Sequence, residues 1–102
     1  MEEEVLKKYL KAGEIASRVL MDASKLVKPG VKLIDICEYV ERKTVELGGK
    51  PAFPCNISIN YIAAHYSSPI GDTTVVPNDS LVKLDIGVHV DGYIAVVATT
   101  IN

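Results

Sequence analysis

Nothing in this sequence supplies an excess of positive charge. Lys and Arg total 11 against 13 Asp and Glu, the formal net charge is −2, and no basic stripe runs along any segment. Nucleic acid is therefore not an expected partner. Long apolar runs are missing too. None approaches the ~18 residues that a spanning helix needs, so no membrane span is expected. The first residues, Met1-Glu2-Glu3-Glu4, lack the basic start of a secretory leader. Cysteine is scarce: Cys37 and Cys55 stand alone, with no C-x-x-C or Cys/His spacing. That pattern offers neither a zinc ribbon nor a disulfide framework, and the expectation is two reduced, partly buried thiols. Together with the acidic start, it points to a cytoplasmic location. Internal repeats and low-complexity segments are also absent.

What is present is ordinary globular chemistry. Hydrophobic residues make up 48% and charged residues 24% of 102 positions, which suits one small domain, residues 1–102, with a core. A chain of this size has little apolar area to spare, so any apolar face it cannot cover alone seeks a partner. Val5, Tyr9, Ala12, Ala16, Val19, Ala23 and Leu26 recur at steps of three and four. This spacing predicts an amphipathic helix over about 3–27, ended by Pro29-Gly30. Leu33, Ile36, Cys37, Val40, Thr44 and Leu47 predict a second helix over about 33–47, closed by Gly48-Gly49. Its acidic residues Asp35, Glu38, Glu41 and Glu46 fall on a solvated face.

After residue 50 the pattern changes. Short strands are expected at about 56–60 and 73–76, the second inside a loop rich in Ser, Pro, Gly, Asp and Thr. Two longer alternating strands, 81–90 and 93–101, flank Asp91-Gly92, a strong hairpin signal. The resulting fold class is α/β (α+β): two antiparallel helices packed on one face of a mainly antiparallel sheet. Period-two alternation gives the hairpin two sides. Leu84, Ile86, Val88, Val90, Tyr93, Ala95, Val97 and Ile101 form an apolar side that belongs under the helices. Lys83, Asp85, Gly87, His89, Ile94, Val96, Ala98 and Thr100 form the other. Asp85 and position 96 are opposite or diagonal neighbours on that second side, depending on the turn. Carboxylates at both would aim oxygens at one point, a hard-cation arrangement. Position 96 is valine. A solvated carboxylate at Asp85, a hydrogen-bonded structural imidazole at His65 and a merely exposed His89 account for these residues without any function.

Several blocks taken in order resemble the archaeal-type (type II) methionine aminopeptidases, in their N-terminal half. They are Gly48-Gly49-Lys50-Pro51-Ala52-Phe53-Pro54, Asn56-Ile57-Ser58-Ile59-Asn60, Ile62-Ala63-Ala64-His65-Tyr66, Gly71-Asp72-Thr73-Thr74-Val75, and the run from Lys83 to Ala95. The resemblance spans nearly the whole chain. It implies one half of a pita-bread fold, in which two similar halves enclose a centre of two divalent ions such as Co, Mn or Fe. In that family the ions are held by two Asp, one His and two Glu, and the substrate is the N-terminal Met of a peptide. The resemblance makes Asp85 the first metal Asp and His65 the substrate-side histidine, a catalytic role. The second metal Asp falls at position 96, where Val96 stands, and the remaining ligands belong to the other half. Tyr61, Val96 and Val97 depart from positions that are usually polar, as dimer or stability substitutions.

With one ligand of five, no metal cofactor is expected and the chain as it stands is not expected to be an enzyme. The length and the three substitutions fit an engineered half-fold. Its expected partner is a second copy, a homodimer formed through the inner sheet face as a stand-in for the missing half. The rival readings are a split enzyme fragment active on complementation and a metal-free peptide-binding module.

Overall fold

The computed structural model describes residues 2–61 and 74–101. Helix α1 runs Glu3–Ser24 and α2 runs Leu33–Glu46. Four strands follow: β1 Lys50–Pro51, β2 Asn56–Tyr61, β3 Ser80–Val90 and β4 Tyr93–Ile101. All pairings are antiparallel, and β3 is the centre of the sheet. One edge of β3 pairs with β4 along nearly its whole length. The other edge carries β2 against residues 80–85 and β1 against residues 88–89, placed end to end. Helix α1 lies over β3 and β4, and α2 lies over β1 and β2.

The 3.6-residue spacing of α1 selects what it buries. Ala12, Ile15, Ala16, Val19 and Ala23 are buried, and their small side chains allow close approach to the sheet. Ile15 extends the stripe read from the sequence, while Tyr9 and Leu26 at its ends are exposed. In α2 the buried positions are Leu33, Ile36, Val40 and Thr44. The Thr44 hydroxyl donates to the Val40 carbonyl at 2.7 Å, so its burial leaves no polar atom unsatisfied. Beneath the helices, Val82, Leu84, Ile86 and Val88 of β3 are each at most 2% exposed and complete the core with Ile57 and Ile59.

Three boundaries differ from the sequence reading. Helix α1 stops at Ser24 rather than near residue 27, because the chain tightens into consecutive turns in which the Leu26 amide donates to Ala23 and the Val27 amide to Ser24. The strand expected at 73–76 is not one. Thr73 lies outside the described residues, and Val75 makes a single bridge to Lys32. The amides of Gly30 and Leu33 donate to the carbonyls of Val76 and Thr74, and the Val76 amide donates to Val31. Residues 74–76 thus spend their hydrogen bonds on the connection between the helices instead of on the sheet. Conversely, the two-residue β1 carries no alternation from which it could be read. Helix α2, β2, β3 and β4 fall within a residue of their expected ends.

The hairpin turn is Asp91-Gly92, with Val90 paired to Tyr93. Both turn residues take positive φ, 51° and 86°, as the twist-matching two-residue turn requires.

Candidate functional site: a lone carboxylate on the inner sheet face

The odd-numbered residues of β3 point away from the helices. Asp85 sits among them with its side chain 21% exposed. It is opposite Asn56 of β2 on one side and Ala98 of β4 on the other. The Asn56 amide Nδ2 donates to Asp85 Oδ2 over 3.5 Å, a long contact, and Lys83 Nζ stands 3.9 Å from the same oxygen. Among the described residues, the carboxylate thus meets one weak donor and one screened ammonium group. Neither the amide nitrogen nor the ammonium group can ligate a metal.

Val96 pairs with Gly87, so position 96 is the diagonal neighbour of Asp85. Its side chain is 62% exposed, and Ile94 on the same strand face is 51% exposed. Val97 points the other way: it pairs with Ile86, is half-buried and packs against the core. A hydroxyl buried there would need a hydrogen-bond partner. Tyr61 ends β2 opposite Ser80. His65, with the rest of Ile62–Tyr66 and Gly71–Thr73, lies outside the described residues.

His89 is not simply exposed. It is half-buried, opposite Lys50 of β1 and Ile94 of β4, and its Nδ1 accepts a 3.1 Å hydrogen bond from the Gly92 amide. The imidazole therefore closes the hairpin turn.

Two features were not found from the sequence. Phe53, between β1 and β2, lays its ring over Gly87, where a Cβ would overlap it. A glycine inside an otherwise well-formed strand was the available signal for this close approach. Asn56, the cross-strand partner of Asp85, could be named only once the β2–β3 register was known.

Among the described residues no group of three or more His, Cys, Asp or Glu is placed to hold a metal ion. Asp85 with Asn56, Lys83 and Val96 does not fit a pair of divalent ions. A hard cation wants several oxygen ligands converging, whereas here one carboxylate faces an ammonium group and a valine.

The comparisons with known proteins bear on this arrangement. Residues 7–102 match the profile of metallopeptidase family M24. A methionine aminopeptidase of Thermococcus kodakarensis is 64% identical over 91 residues, covering 89% of this chain and 31% of that protein. One from Methanocaldococcus jannaschii is 55% identical over 102 residues, covering 100% of this chain and 35% of that protein. The chain thus spans about a third of the length of these relatives. In three dimensions, the crystal structure of methionine aminopeptidase from Rickettsia prowazekii superimposes with a TM-score of 0.80 at 23% identity, covering 98% of this chain and 42% of that one. That likeness carries the fold: two helices on an antiparallel sheet, as in one half of a pita bread. By sequence and fold together, the chain belongs to metallopeptidase family M24.

Proposed function

We propose that this chain is an inert half of a methionine aminopeptidase-like fold, without hydrolytic activity by itself, which pairs with a second copy through its inner sheet face. The proposal holds equally for a natural and for an engineered chain. The observation that carries it is Val96, a 62% exposed aliphatic side chain diagonal to the lone Asp85. One substitution accounts for both parts of the reading. It takes away the second carboxylate that a dinuclear centre would use, and with Ile94 it adds apolar area to the face that the rest of an M24 protein would cover. A two-fold pair is the simplest closed way for one copy to cover another.

Light scattering across a range of protein concentrations tests the pairing. A mass near twice the 11.0 kDa of the chain, insensitive to chelator, is expected. The Val96→Asp variant places a second carboxylate beside Asp85 on each copy, and should weaken the pair by roughly 10-fold or more through like-charge repulsion. A wild-type monomer at every concentration would overturn the pairing. Methionine release from a Met-Ala-Ser peptide with added Mn or Co, by this chain alone, would overturn the inert reading. Release only after a complementing fragment is supplied would favour the split-enzyme reading, and saturable binding of short Met-initiated peptides without metal would favour a peptide-binding module.

A further inference from the structure

Cys37 and Cys55 are 18 positions apart and share no motif, yet the fold sets them side by side. Cys37 lies in the second turn of α2, and Cys55 lies immediately before β2. Both are free and half-buried, so small reagents can reach them. The Cys37 thiol donates to the Cys55 carbonyl oxygen over 3.6 Å, so its sulfur lies against the Cys55 residue. Neither has a role in the inner-face site.

We propose that Cys37 and Cys55 are a dithiol redox site that closes to an intramolecular disulfide on exchange with a small-molecule disulfide, tying α2 to the start of β2. The two residues have unequal tasks. Hydrogen bonding from the Cys55 thiol holds the Cys37 thiol below its usual range, against the opposing effects of burial and of Glu41. The same bond, with burial and the charges of Glu41 and Asp85, pushes Cys55 up. Cys37 is therefore the attacking sulfur. Its thiolate bonds to one sulfur of the external disulfide, and the other leaves as a thiolate that takes a proton from water. Once Cys37 is in the mixed disulfide, it no longer holds the Cys55 proton. Cys55 then gives that proton to solvent and attacks the Cys37 sulfur, releasing the second external thiol. Overall two protein thiols are oxidised and one external disulfide is reduced to two thiols.

The tether has a reach beyond the cysteines. Cys55 adjoins Asn56, the cross-strand partner of Asp85, and lies two residues from Phe53, which covers Gly87. Closing the disulfide fixes the Phe53–Asn56 segment against the inner face.

The test uses the 102-residue chain in oxidised and reduced glutathione buffers, read by intact mass, peptide mapping and thermal unfolding. Expected are loss of both free thiols, a mass lower by that of two hydrogens, a Cys37–Cys55 linked peptide, and a midpoint raised on the order of 10 °C that reverts with reductant. The isosteric Cys55→Ser variant should stop at a glutathione adduct on Cys37, and Cys37→Ser should form adducts much more slowly. Two persistent free thiols, adducts on both residues of the wild type, or a disulfide joining two chains would each overturn the proposal.

Discussion

The two faces of β3 obey opposite rules although they alternate residue by residue. Toward the helices, Val82, Leu84, Ile86 and Val88 are at most 2% exposed and meet side chains from both helices and β2. Away from them stand Lys83, Asp85, Gly87 and His89, of which only Gly87 is buried, and that by a single aromatic ring. The outer face is a finished core. The inner face is a half-covered floor, held by long polar contacts. The difference teaches that the energy of this fold resides on one side of the sheet, while the polar side chains of β3, Asp85 among them, are laid out on the other. The exposed positions of the inner face are therefore free to change at little cost in stability, with Gly87 under the Phe53 ring the exception.

Substitution at neighbouring positions would sharpen or break this contrast. Leu84→Ala removes a side chain with no solvent exposure. It should cost about 2–5 kcal/mol, a large part of the stability of so small a domain, in urea-induced unfolding. Gly87→Ala comes next. A methyl there must displace the Phe53 ring, at a cost of about 1–3 kcal/mol. In the background of Phe53→Ala most of that cost should vanish, and a double-mutant cycle reads the coupling directly. If the two changes are simply additive, Phe53 is not what closes the floor at Gly87. The smallest effect is expected next door to Leu84. Asp85→Ala should alter the unfolding free energy of the monomer by no more than about 0.5 kcal/mol, because its contacts are long and partly solvated. A loss rivalling that of Leu84→Ala would abolish the distinction between the faces.

Much of the outer face was legible in the sequence, for a physical reason. Its signals are local: the three-and-four spacing of α1 and α2, the alternation of β3 and β4, and an Asp91-Gly92 turn suited to positive φ. The assignment of Val97 to the helix side and Val96 to the opposite side followed from period two alone. The inner face was legible only in part. Asp85 could be placed on it, but Asn56 and Phe53 come from a different segment, brought alongside by the pairing of β2 and β1 with β3. The adjacency of Cys37 and Cys55 is likewise a product of α2 packing beside β2, which no spacing rule encodes. Residues 74–76 misled because β-branched side chains favour extended backbone without specifying which neighbour it bonds. His89 misled in the opposite sense, since a polar residue near a hairpin tip suggests solvent, whereas its ring accepts the turn's amide.

Strand β4 carries a consequence of its own. From Tyr93 to Ile101 it holds no charged residue, no proline and no glycine. Among the described residues it pairs with β3 alone. A row of backbone amides and carbonyls along its other edge is thus unguarded by the lysines, prolines or bulges that usually discourage one sheet from growing onto another. Contact between faces closes at two copies. Contact along this edge need not close, and a ladder begun there can add chains at its ends. Conditions that favour pairing along this edge would yield a growing fibre rather than a closed assembly.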